Sequence, residues 1–338
     1  MGITTRQFGP YAKGSKLTTA EMDENFNYLN DYGVIATTNE YYVLAGFSGD
    51  SPSDGSKASP YPTIAAAISA ADADGHNVTN PAFIILLSDI TEDVVMTRGG
   101  IWLTSDYGTG TQGSVTLTGS ITIEGGGLTL LNNHFSISNL RIVASLKGIL
   151  FTGTNPQRLY MRDIWVEVSG LEDSHCIYAD NTGTGSVCYL NTAHLVHNGD
   201  GYAFYANHGK MYLTDIETSG ENIKGGRIGV DAIMTVDSSE LVTAGEGFTI
   251  YGELIISRST INSTSSGARG IGFYRNGSIA TVVDCLFNVN EDGGTAVYGE
   301  DGTTSFLYYQ YITFSVDSSR ILTASPTITA VPLETTFV

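Results

Sequence analysis

Cysteine is scarce in this chain: Cys176, Cys188 and Cys285 are the only three in 338 residues. So few thiols leave no disulfide framework, and their places inside apolar stretches make them small core residues or buried thiols. Basic side chains are scarce too. Sixteen Lys and Arg stand against 35 Asp and Glu, a formal net charge of −19. That balance argues against a nucleic-acid partner, which needs a basic footprint, and it favours solubility for a fold with open strand edges. Long apolar runs are missing as well. Phe83 to Leu87 has the length of a strand and falls far short of the ~18 residues of a membrane span. Met1 is followed by polar Thr4, Thr5, Arg6 and Gln7, which does not read as a secretory leader. The expectation is a chain made in the cytoplasm that leaves by a route other than secretion.

Glycine and a repeat are what the chain has in quantity. Six apolar segments end in an aromatic, at Phe151, Tyr178, Tyr205, Tyr251, Tyr274 and Tyr298. Their spacings are 27, 27, 46, 23 and 24 residues, and 46 is two periods of 23, with Ile228-Gly229-Val230 as the candidate for the skipped turn. A fixed period in this range marks stacked repeats. After each segment comes a Gly/Ser/Asn-rich turn, a second strand, a polar corner and a third strand. In the stretch from Leu159 to Val168, Leu159 and Met161 point inward, the corner falls at Asp163, and Ile164, Val166 and Val168 resume the inward set. Tyr160, Arg162, Trp165 and Glu167 then face outward, because strand side chains alternate. Equivalent corners read Asn139, Thr192, Asp215, Ser238, Arg258 and Asp284, where polar side chains can bond to backbone groups that the bend leaves unpaired. Three strands per ~24 residues predict an all-β fold, a right-handed parallel β-helix. Ten or so rungs at about 4.8 Å would make a rod roughly 50 Å long.

The ends differ from the repeat. Thr18 and Glu21 form a capping box, Leu17 against Met22 a hydrophobic staple, and Met22, Phe26 and Leu29 one apolar stripe. A lone helix of about fourteen residues is not stable in water, so it must pack on symmetry mates or a partner. The segment Lys13 to Thr18 followed by Glu21-Met22-Asp23-Glu24-Asn25-Phe26 and Leu29 resembles one that recurs near the N-termini of bacteriophage tail fibre and tailspike proteins. That resemblance implies a homotrimer whose N-terminus, through Leu17, Thr18, Glu21, Met22, Phe26 and Leu29, binds a phage tail or baseplate protein, and whose shaft meets host surface polysaccharide. It also implies a place in the virion. A second stretch, from Gly49 through Pro60 to Ile68 and on to Leu87, resembles the entry to pectin-lyase-like β-helices, where a short helix caps the first rung. Thr63 is placed to cap it and Gly75 to end it. The expected organisation is an attachment module at 1–40, a linker and capping helix at 41–80, the shaft at 81–302, and a last rung with a glycine-free tail at 303–338.

Candidate chemistry sits on the rungs. Glycoside hydrolysis needs two carboxylates, for which Asp163, Asp215, Glu167 and Glu217 are the candidates, although corner residues that merely satisfy the backbone account for the two Asp more simply. The turn Asn198-Gly199-Asp200-Gly201 resembles a polygalacturonase loop, but the other motifs of that family are missing and it reads as a turn. His194 and His197 lie three apart on a strand and so face opposite ways, which gives no metal pair. Neither a metal nor a cofactor is expected. Glycan binding is the better-supported activity, with Trp165, Tyr160, His197 and Tyr212 as the candidate contacts. An aromatic column of this kind equally suits a subunit interface.

Overall fold

The computed structural model describes residues 39–49, 53–106, 115–126, 133–170, 173–289, 293–300, 304–315, 322–324 and 327–332. The attachment-helix residues Leu17 to Leu29 lie outside them. The fold is the expected right-handed parallel β-helix, with every strand ladder parallel and each strand between the end rungs paired one turn before and one turn after itself.

Three faces follow from the pairing. The first stacks Ile84, Leu103, Ile137, Met161, Leu190, Leu213, Val236, Ile256 and Val282 in one register, and all of them are buried. The second stacks Leu117, Ile142, Val166, Leu195, Thr218, Leu241, Ile261 and Phe287. The third runs through Ile149, Ile177, Phe204, Gly226, Phe248, Ile271 and Val297. Each buried aliphatic or aromatic side chain contributes about 1.5–3 kcal/mol against exposure, so the three columns form one continuous core. Gly226 is required there. A Cβ would come within 2.6 Å of the Phe204 ring and 2.9 Å of the Phe248 ring, so glycine makes the room in which those two large rings pack.

The corner between the first and second faces has a definite conformation. Asn139, Asp163, Thr192, Asp215, Ser238, Arg258 and Asp284 all have φ between 47° and 58°. A single left-handed residue between two extended ones turns the chain and shifts the inward parity, which is why Met161 and Ile164 both point to the core. Asn and Asp tolerate this region best. The next corner is Tyr311, φ 51°, a residue type that gives no hint of a bend. The backbone is satisfied partly by neighbours of the corner: Ser239 Oγ accepts from Ile216 N at 3.1 Å, and Ser259 Oγ accepts from Ser239 N at 3.1 Å.

Register also revises the aromatic repeat. On the outward side of the third face Leu150, Tyr178, Tyr205, Arg227, Thr249, Gly272 and Tyr298 align. Phe151 pairs with Ala179 and is buried, one residue out of step and therefore on the other side of the strand. The turn skipped by the aromatic period is occupied by Arg227.

The helix Ile64–Ala73 has Thr63 as its N-cap and buries Ile64, Ala67 and Ala71 against the first strands. Glu92, from the next rung, accepts from Ile64 N and Ala65 N at 2.8 Å each, placing a carboxylate on the positive end of the helix. At the far end, Leu322–Ala324 and Thr327–Pro332 continue the same parallel ladder.

Candidate functional site

Outward residues of the first face form a row in register: Trp102, Ser136, Tyr160, Tyr189, Tyr212. Because parallel rungs repeat at about 4.8 Å, aligned rings stack. Tyr160 and Tyr189 lie 5.0 Å apart and 5° from parallel, and Tyr189 and Tyr212 lie 5.2 Å apart at 13°. The row breaks at Ser136. Its small side chain separates Tyr160 from Trp102 by two rungs, about 10 Å of backbone. Tyr160 and Trp102 are both exposed, at 41% and 38%. The hollow has a volume of about 610 Å³ and is bordered on its polar side by Arg162, Asp163, Asn191 and Thr214. His134 meets the Tyr160 ring edge-on at 6.2 Å. Burial, with the nearby Arg158 cation, holds its pKa below the ordinary histidine value.

The second face carries Trp165 with different surroundings. Its ring stacks on His194 at 4.2 Å and 17°, and the Arg141 guanidinium stands 5.8 Å from the ring centre. Arg141, Trp165 and His194 come from three successive rungs, so both ring faces are covered. This corrects the expectation that Trp165 offers a face to a sugar. His197 is a second correction. It points inward and is fully buried, with Nε2 at 2.9 Å from Ser174 Oγ and Nδ1 beside the Gly199 backbone. The parity that puts His194 outward puts His197 inside. The turn after it is tight for a packing reason: a Cβ on Gly199 would lie 1.7 Å from the Gly170 carbonyl oxygen of the preceding rung.

The four candidate carboxylates are separated by the same registers. Asp163 and Asp215 occupy one corner column with Thr192 between them, about 10 Å apart along the backbone. Asp163 Oδ2 is 3.1 Å from Arg162 Nε, and Asp215 Oδ2 accepts from Thr192 Oγ1 at 3.2 Å. Glu167 is held by Arg141 at 2.7 Å, and Glu217 by His194 at 3.2 Å. Glu217 shares the register of Trp165, two residues from that of Glu167. Of the four, Asp163 alone borders the tyrosine hollow.

Sequence reasoning selected Tyr160 and Tyr212 but missed Tyr189 and Trp102. Tyr189 follows Cys188 as Tyr212 follows Met211, so its signal was the repeat alignment itself. Trp102 lies before the regular part of the repeat, where turns of uneven length hide the register.

No protein-family description and no curated protein sequence matches the chain. Among solved structures, a pectin methylesterase from Erwinia chrysanthemi aligns at TM-score 0.45 and 13% identity, covering 88% of this chain and 93% of that one. The deglycosylated Aspergillus niger pectin methylesterase aligns at 0.47 and 18%, with 88% and 91% covered. A pectin methylesterase in complex with a hexasaccharide aligns at 0.42 and 12%, with 84% and 93% covered. The chain's own strand pairing defines its fold.

Proposed function

We propose that this chain is a homotrimeric β-helical fibre or spike component of a bacteriophage tail that binds host surface polysaccharide along its first face. The observation that carries the binding reading is the hollow at Ser136. It leaves Tyr160 exposed beside Trp102, with Arg162, Asp163 and Asn191 on its border. Sugar rings pair an apolar face with a rim of hydroxyls, and this combination of aromatic surface and polar edge suits them. The virion reading is supported by the sequence from Lys13 to Leu29, which resembles phage fibre N-termini. Neither reading calls for a cofactor.

Tyr160→Ala removes the ring that lines the hollow. An aromatic contact is worth about 0.5–1.5 kcal/mol beyond its area, so affinity for purified host envelope glycan should fall roughly two- to tenfold. Unchanged binding by the variant would exclude this hollow as the site. Sedimentation should give three times the chain mass of 35.9 kDa, and a monomer would count against the fibre assignment.

A depolymerase is the second reading, favoured by one observation: Asp163 stands on the border of the hollow. Release of reducing ends from the same glycan, abolished in Asp163→Asn, would establish it over binding alone.

A further inference from the structure

The third face carries tyrosine rings and, among the described residues, cations that are mostly neutralised. Lys147 pairs with Asp173 at 3.4 Å and Lys224 with Asp200 at 2.6 Å. Arg269 stands 3.7 Å from the Tyr298 ring centre and pairs with Glu246 at 2.9 Å. Arg227 is different. The rings of Tyr205, Tyr251 and Tyr202 surround its guanidinium at 4.9, 5.4 and 5.9 Å. No carboxylate among the described residues comes within the 4.0 Å of an ion pair, and its Nε is buried with no hydrogen-bond partner.

A chain with 35 acidic and 16 basic residues has carboxylates to spare, yet none of the described ones is placed beside Arg227. Cation–π contact with ring faces holds a guanidinium at about 0.5–2 kcal/mol per ring. It leaves the in-plane N–H donors unused, and their fork geometry matches an oxyanion. The next two rungs present Thr249, which is buried, and Gly272 in register with Arg227, before Tyr298 on the third. The cage therefore has ring surface on its flanks and no side chain larger than threonine in register on the two rungs that follow it. An occupant must therefore bring its own negative charge together with a surface that lies against tyrosine.

We propose that Arg227 and its tyrosine cage form a second carbohydrate site, which takes the carboxylate of an acidic sugar while the sugar ring lies against Tyr205 or Tyr251. The site lies on a different face from the Tyr160 hollow and does not depend on it.

The test is calorimetric titration of the full chain with three probes: a glucuronate-containing hyaluronan tetrasaccharide, neutral chitotetraose, and inorganic phosphate. The acidic tetrasaccharide should bind at least tenfold more tightly than the neutral one. Arg227→Gln should remove that preference, Arg227→Lys should keep part of it, and Tyr160→Ala should leave it intact. Near-ultraviolet circular dichroism checks the fold, and if the Gln variant does not fold the Lys variant carries the comparison. Equal affinity of wild type and a folded Arg227 variant for the acidic tetrasaccharide would overturn the site. Phosphate binding as tightly as the tetrasaccharide would overturn its assignment to a sugar. Loss of the preference in Tyr160→Ala would show that the hollow, and not Arg227, is responsible.

Discussion

Lowering the pH from 7 to 4.5 should weaken this fold through one buried imidazole. His175 is 2% exposed. Its ring stacks on Tyr178 at 5.4 Å and meets Tyr205 edge-on at 5.2 Å. Nε2 lies 3.3 Å from Asp173, and Nδ1 is buried without a partner. Burial outweighs the Asp173 attraction and pushes the pKa down to about 4, from 6.5 in the unfolded chain. The folded state therefore binds fewer protons than the unfolded state between those values. The stabilisation from keeping the ring neutral is complete above about pH 6.5 and is lost as the pH falls toward 4. Each pH unit crossed between the two values costs about 1.4 kcal/mol, so the loss between pH 7 and 4.5 is about 2–3 kcal/mol. His197, likewise lowered by burial, adds in the same direction. Urea unfolding of wild type and His175→Phe at both pH values measures the contribution, because the substitution keeps a ring among the tyrosines and removes the titration. The wild type should lose about 2–3 kcal/mol more than the variant across the interval. Parallel losses in the two proteins would refute the assignment of acid sensitivity to this ring.

Substitutions at two further positions test the scaffold. Thr192→Gly should leave stability within about 1 kcal/mol of wild type, because relief of a left-handed conformation that costs a non-glycine residue about 1–2 kcal/mol offsets the lost hydroxyl bond to Asp215 of about 0.5–1.5 kcal/mol. Thr192→Val loses the bond and keeps the strain, and should be the less stable of the two in urea; the reverse order would contradict the corner account. Glu92→Ala removes two charge-assisted hydrogen bonds from the start of the capping helix. It should cost roughly 1.5–3 kcal/mol, read as a lower thermal midpoint with earlier loss of helical signal, and an unchanged midpoint would show that the helix holds its place by packing alone.

The legible part of this molecule was whatever depends on strict alternation. Leu159, Met161, Ile164, Val166 and Val168 are all buried as the parity argument required, and the seven corners read from sequence share one backbone conformation. The helix after Thr63 was legible because its cap is a side-chain hydrogen bond, Ala66 N donating to Thr63 Oγ1 at 3.1 Å. What escaped depends on register between rungs. Aligning Phe151 with Tyr178 placed it one residue off, since turns of unequal length separate equivalent strands. Trp165 is outward as expected, yet only the pairing of Arg141, Trp165 and His194 across three rungs shows that its ring is already covered. Tyr311 at a corner was illegible because nothing in an aromatic side chain announces a left-handed bend.

The column of left-handed corners separates two kinds of freedom. Equivalent core positions such as Ile137, Met161, Leu190, Leu213, Val236 and Ile256 stay in register although the number of residues between them varies, because one residue sets the bend and the turns absorb the rest. A coil of this design could acquire or lose a whole turn by duplication or deletion of one repeat without disturbing its neighbours. The tyrosine row on its first face would then lengthen or shorten by one ring at a time, so that the length of this aromatic surface becomes a countable, heritable quantity.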